Sequence, residues 1–280
     1  MDKAVIFDVF NFVSFHLCKA LLDKGIEVEG ITIENKGNDD GFSDEKRLEI
    51  GRNANYKESL FKDWTKQLDR TDSKMTIICS VYDIYMTYNE NILKNDAVAY
   101  EFIDCLKRYK EKIERLVLLL PGQILTGEAE TEALLVMNDF IKMSEELTEN
   151  IQLHYLPTIF GPWQPKTFVF QHTILNKMNQ QEKFKGLREE TMDALYIDDT
   201  VETLIDIIEN SDAGRYLLES GLENQWDFCA QYLQVDENLL IDRKTSIEEE
   251  KVAKLTVNRK ESLTNAIAKQ INHVQHLFRP

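Results

Sequence analysis

Short, unbroken apolar runs alternate along this chain with stretches in which apolar residues recur every three or four positions. Ala4–Phe7 is the first run; Val13, Leu17, Ala20 and Leu21 follow at helical spacing, and Gly25 marks a stop. Val28–Ile33 and Met75–Cys79 read as the second and third strands, with the polar, glycine-bearing loop Asn35–Asp44 between them. A helix from about Asp96 to Lys112 leads into Arg115–Leu120, the most buried-looking run, which Pro121-Gly122 closes. The helix from Glu128 to Leu147 carries Ala133, Met137 and Phe140 on one stripe and Leu134 and Ile141 on the next; Ile151–Leu156 reads as another strand. Strands that are apolar throughout are buried on both faces, and helices between them supply the crossovers of a parallel sheet. After Pro157 the elements become short and mixed, and the chain ends in a helix with Leu263, Ala266, Ile267, Ile271 and Val274 on one face. The pattern predicts an α/β fold. A doubly wound, Rossmann-like parallel sheet spans 1–160, and a smaller C-terminal α/β lobe spans 161–280, from which segments can return to the first domain.

Composition narrows the partners. The 280 residues carry 33 Lys plus Arg against 49 Asp plus Glu, a net charge of −16, with 43% hydrophobic residues. That share is ordinary for a folded chain, and the charge argues against nucleic acid or an anionic membrane, both polyanions. The apolar start is interrupted by Asp8, Asn11 and His16, so it reads as neither a secretory signal nor a membrane span. Cys18, Cys79, Cys105 and Cys229 form no Cys-x-x-Cys pair, which removes structural zinc and dithiol chemistry and predicts reduced core thiols in a cytoplasmic protein. His273 and His276 share a helix face but lack a third ligand, so surface or partner contact is preferred to metal. Glu248-Glu249-Glu250 reads as a solvated helix start, Trp163 as packing that could line a cleft, and Tyr82, Tyr85 and Tyr88 as a stretch that could face a ligand.

The opening AVIFDVFNFVSFHLCKALLDKGIEVEGI joins a strand to a helix through a tight turn, with Phe12-Val13 and His16-Leu17 at the helix start. It resembles the opening of the extended short-chain dehydrogenase/reductases, the NAD-dependent epimerases and dehydratases. Three later stretches keep that family's order. Leu156–Trp163 (LPTIFGPW) resembles its Arg-x-Pro-x-x-Tyr-Gly-Pro segment, and Ala194–Val201 (ALYIDDTV) its Tyr-Val-Asp-Asp-Val segment, where an Asp caps a helix. In that frame Asp199 and Glu202 have capping-box spacing. Gly214-Arg215-Tyr216 and the last helix fall where the family closes its substrate lobe. The resemblance implies a dinucleotide held at the first helix by Asn11, Phe12, Val13 and Ser14, a small molecule in the inter-lobe cleft, and a homodimer through the helices near 96–112 and 128–147.

The departures fall on the chemistry. The family's three fingerprint glycines align with Asp8, Asn11 and Ser14. Asn11 tolerates a left-handed φ and Ser14 is small, so the turn can survive. Asp8, however, puts a carboxylate near the pyrophosphate, a repulsion on the order of 3 kcal/mol at ~5 Å and an effective dielectric of ~20. The ribose-binding acid aligns with Thr32, with Glu34 two residues on. The family's reaction uses a Tyr, a Lys four residues later, and a Ser or Thr. None of the ten tyrosines has that Lys, and the hydroxyl position falls on Leu120-Pro121. Thr126 is the nearest hydroxyl, Glu128, Glu130 and Glu132 stand where a cation is needed, and Tyr155 replaces the Arg. The expectation is a catalytically degenerate member without catalytic or metal-binding residues, with no cofactor or weakly held NAD(P), acting as scaffold, sensor or small-molecule binder. The alternative is an active NAD(P)-dependent epimerase, dehydratase or reductase on a nucleotide sugar, with Thr126 and Tyr82 or Tyr85 as displaced catalytic groups.

Overall fold

The computed structural model describes residues 1–33, 41–68, 73–94, 96–125, 131–180, 183–240 and 252–278. In chain order the first half comprises β1 (Lys3–Phe7), α1 (Phe12–Asp23), β2 (Glu27–Thr32), α2 (Ser43–Ile50), β3 (Tyr56–Leu60), α3 (Phe61–Gln67), β4 (Met75–Ser80), α4 (Val81–Met86), α5 (Asn91–Lys94), α6 (Asp96–Arg108) and β5 (Ile113–Pro121). The second half comprises α7 (Glu132–Glu145), β6 (Ile151–Leu156), β7 (Thr158–Phe160), α8 (Val169–Lys177), β8 (Ala194–Tyr196), α9 (Ile197–Asn210), β9 (Gly214–Glu219), α10 (Gln225–Leu233), β10 (Ala253–Thr256) and α11 (Leu263–Leu277).

Eight strands form one sheet in the order β10-β9-β6-β5-β4-β1-β2-β3, every neighbouring pair parallel. This is the doubly wound order with its switch point between β1 and β4. The central strands β4 and β6 are buried along their whole length, the polar Gln152 and His154 of β6 included. Helix α1 packs against α9. A second sheet of two parallel strands, β7 and β8, belongs to the C-terminal part.

Two differences from the sequence reading concern position. Gly214-Arg215-Tyr216 opens β9, which pairs with β6 in the main sheet and so does not close a substrate lobe. Asp199 does not cap α9: the helix starts at Ile197, and Asp199 lies in its first turn, accepting from the Lys260 amide at 3.2 Å. The start of the Glu128–Leu147 helix and the Glu248–Glu250 run lie outside the described residues. Helix α11 buries Ala266, Ile267 and Val274, on the face expected. All four cysteines are free and buried, and burial pushes each thiol up to about 12.

Candidate functional site

Helices α1 and α4 both begin at the C-terminal edge of the sheet, above the adjacent strands β1 and β4. Ligands bind in this crevice in open α/β sheets, because the strand order reverses here and leaves the edge uncovered. The turn into α1 is closed by the Asn11 amide donating to the Asp8 carbonyl at 2.9 Å. Its left-handed residue is Asp8, with φ of 48°; Asn11 is extended, with φ −66° and ψ 163°. The strain expected at Asn11 therefore sits at Asp8. Its carboxylate turns toward β2 and accepts from the Ile33 amide at 3.4 Å. Burial pushes its pKa up to about 6, with a further push from the Asp83 charge.

A different carboxylate reaches the helix. Both oxygens of Asp83 accept from the Val13 amide at 3.1 Å, and Oδ2 also accepts from the Ser14 amide at 3.1 Å. The Ser14 hydroxyl donates to Oδ2 as well, at 3.4 Å. The first turn of a helix leaves amides without intrahelical partners and carries partial positive charge, so an anion there is stabilising. Asp83 is 1% exposed. Burial raises its pKa, while the Val13 and Ser14 amides, the Ser80 side chain and the charge of Lys46 lower it; burial prevails. Lys46 is fully buried, donates to the Phe10 carbonyl at 2.7 Å, and lies 5.6 Å from the Trp163 ring. Helix α8 is served in the same way: the Val169 amide at its start donates to Glu189 Oε1 at 2.7 Å. Glu189 is buried, its Oε2 has no partner among the described residues, and burial pushes its pKa up to about 8.

Asn11, Phe12, Val13 and Ser14 are thus gathered at the helix start as the resemblance implies, but the amides of Val13 and Ser14 are already bonded. These residues do not fit a dinucleotide. Room is not the obstacle, since a groove of about 250 Å³ lies over β1 and β2, lined by Asp8, Asn11, Thr32, Arg47 and Asn89 among others. Its guanidinium is held by Glu58 at 2.9 and 3.0 Å and by Asp44 at 2.5 Å. Under the Asp8 turn, Phe7, Phe61, Ile84 and Phe102 leave a space of only about 30 Å³, enough for a water or two. Glu34 lies outside the described residues.

The catalytic candidates among the described residues are engaged in packing or pairing. Leu120 and Pro121 are buried at the end of β5, and Thr126, Glu128 and Glu130 lie outside the described residues. Glu132 is exposed and paired with Lys94 at 2.5 Å. Tyr82 is fully buried, its hydroxyl accepts from the Ile159 amide at 2.9 Å, and burial pushes its pKa far up, the wrong direction for a base. Tyr85 and Tyr88 lie under the Arg188 guanidinium, 4.7 and 3.6 Å from their ring centres. Arg188 is held in turn by both oxygens of Glu90, at 3.0 and 2.9 Å. The three tyrosines are packing and latch residues rather than ligand-facing ones.

What remains open is a cleft of about 450 Å³ between the α1 turn, the 163–167 segment, α8 and the end of α11. Phe10, Phe12, Phe42, Trp163 and Phe278 supply aromatic surface, and Asn11, Asn89, Gln164, Gln171 and Gln180 supply amides. Its charged wall residues are Lys166 and Lys185, with no acid among them. Gln270 Nε2 donates to Gln164 Oε1 at 2.7 Å and to Gln171 Oε1 at 2.9 Å. That fixes the Gln171 amide with its oxygen engaged and its NH₂ group available as a donor. Trp163 combines both roles foreseen for it. It lines the cleft and packs edge-on against His273, whose Nδ1 accepts from the Trp163 amide at 3.4 Å. His273 is therefore a packing residue, and burial pulls its pKa down to about 4. Among the described residues no group of three or more His, Cys, Asp or Glu could hold a metal ion.

No family model matches the sequence, and no curated protein sequence matches it. Solved structures match over nearly the whole chain. UDP-glucuronic acid 4-epimerase from Bacillus cereus, in complex with UDP-glucuronic acid and NAD, superposes with a TM-score of 0.70 at 14% identity, covering 99% of this chain and all of that one. UDP-glucose 4-epimerase from Thermotoga maritima, with UDP-glucose, gives 0.66 at 13% over 99% and 100% of the two chains. dTDP-glucose 4,6-dehydratase from Bacillus anthracis, with NAD, gives 0.64 at 9% over 99% and 97%. The chain has the fold of the NAD-dependent epimerases and dehydratases of the extended short-chain dehydrogenase/reductase type.

Proposed function

We propose that this protein is a catalytically degenerate relative of the nucleotide-sugar epimerases and dehydratases that binds a small anionic molecule in its inter-lobe cleft without turning it over. The observation that carries this reading is a 450 Å³ cleft with a cationic and amide wall beside a helix terminus whose amides are already taken. Acidic residues make up 49 of 280 positions, a share that would put about three in a wall of eighteen; this wall has two lysines and none. In a chain of net charge −16 that local reversal favours an anionic ligand. Two described positions support the lack of turnover: burial holds the Tyr82 phenol protonated, and Leu120 and Pro121 offer no hydroxyl. Exposed Tyr100 on α6 and Leu135 on α7 support pairing of two copies through these helices. The buried thiols, and the lack of a helix long and apolar enough to cross a membrane among the described residues, support a cytoplasmic setting.

The test is a titration of UDP-glucose and UDP-glucuronic acid, followed by calorimetry, alongside an assay of the same mixtures for epimer formation with added NAD. The reading expects saturable binding of an anionic ligand of this kind and no turnover. Turnover dependent on NAD overturns it.

A further inference from the structure

We infer that Asp83 is a built-in replacement for a bound phosphate: its carboxylate fills the anion site at the start of α1, so the fold reaches its ligand-bound form with no cofactor. The inference goes beyond the cleft reading and does not depend on it.

The local geometry supports this over an ordinary capping role. Ser80 and Asp83 are spaced as a capping box, in which the acid would bond back to the amide at its own helix start. Half the box is made, since the Asp83 amide donates to Ser80 Oγ at 3.2 Å. The other half is not. The carboxylate leaves α4 and crosses to α1, where it takes four hydrogen bonds from residues 69 and 70 positions away in sequence. Burying an ionised carboxylate is costly unless it is paired and hydrogen-bonded. Here the pairing comes from the α1 amides and from Lys46, itself buried and held by the Phe10 carbonyl of the same turn. Carboxylate and amides therefore form one buried unit across the sheet's switch point, with the ammonium bonded to the same turn. A phosphate could enter only by displacing Asp83, which is 1% exposed, from these amides.

This predicts a hole of defined shape and charge. Asp83→Ala removes the carboxylate and leaves the Val13 and Ser14 amides facing a space that fits formate. Thermal unfolding of wild type and variant is followed with sodium formate, sodium chloride at equal ionic strength, and formamide as the neutral isostere. Asp83→Ala is expected to melt well below wild type, and ~100 mM formate to raise its midpoint by about 3 °C or more, with neither chloride nor formamide doing so and wild type unmoved. Should Asp83→Ala fail to fold, Asp83→Asn keeps the shape and removes the charge, and it is expected to be markedly less stable than wild type. Equal stability of Asp83→Asn and wild type overturns the inference. So does formate that acts alike on wild type and Asp83→Ala, or inorganic pyrophosphate that binds saturably to the Lys166→Glu, Lys185→Glu variant, whose cleft has lost its cations.

Discussion

The Asp83 carboxylate lies 3.1 Å from the amide nitrogen of Val13, so the helix start that the resemblance assigned to a dinucleotide is bonded to the chain's own side chain. The charge stays in the core because Lys46, 0% exposed, stands behind the same turn. Removing a buried charge near another leaves it less compensated, at a cost below the ~3–5 kcal/mol typical of a broken contact pair. Lys46→Met should therefore lower the unfolding free energy by about 1–3 kcal/mol in urea melts. In an Asp83→Asn background the same change should cost clearly less, and equal costs in both backgrounds would show that the pair is not coupled.

Glu189 makes a pH prediction. Its folded pKa is raised from 4.5 to about 8, so the folded state holds this proton more tightly than the unfolded chain does. The stability this gives is fully present below about 4.5 and is lost as pH rises through about 8. Glu189→Gln keeps a neutral side chain at every pH. The stability of Glu189→Gln relative to wild type should thus grow between pH 5 and 8, by on the order of 1 kcal/mol per pH unit, and level off above. A difference independent of pH would mean that Glu189 is already ionised in the fold.

The cleft wall makes a binding prediction. Anilinonaphthalene sulfonate is an aromatic anion, and N-phenyl-1-naphthylamine is its uncharged counterpart. Wild type should prefer the anion by at least about tenfold, a difference of roughly 1.4 kcal/mol. Lys166→Glu with Lys185→Glu should abolish the preference while leaving the melting temperature within a few degrees, since Lys166 and Lys185 are both exposed. Fluorescence titration reads both dyes, and an unchanged preference in the double variant would remove the lysines from the site.

Gly161 tests how tightly its turn packs against the start of α9. Its φ is 147°, and a Cβ there would stand 2.4 Å from Ile197 Cγ2 at the start of α9. Gly161→Ala should destabilise by ~2 kcal/mol or more through combined backbone strain and overpacking. It should also weaken anion binding in the cleft, because Trp163 follows two residues later; a neutral Gly161→Ala would argue that this turn gives way freely.

Sequence pattern alone locates the interior strands, because β1, β4, β5 and β6 are mostly apolar on both faces, although Gln152 and His154 interrupt β6. It misses the edges. β3 reads Tyr-Lys-Glu-Ser-Leu and β10 Ala-Lys-Leu-Thr, and both are half-exposed or exposed strands whose polar side chains resemble loop. β7 and β8 have three residues each, too few to show a period. At the site, the loss of the glycines and of the Tyr and Lys is plain in the sequence, and so is the presence of an acid near the turn. Which acid reaches the helix is not. Asp8 is adjacent in sequence but turns to β2, while Asp83 arrives from another strand through pairing of β1 with β4. Its one local sign was the Ser80-x-x-Asp83 spacing after an apolar strand, which reads as a capping box for its own helix.

The most direct test of a phosphate site filled from within is an isothermal titration of NAD into the Lys166→Glu, Lys185→Glu variant, in which the cleft no longer attracts anions. No saturable heat up to ~1 mM is the expected result, since the α1 amides are occupied and an exchange would bury Asp83 unpaired. Saturable binding with a Kd below ~100 μM, which is more than about 5 kcal/mol of affinity, would contradict the account.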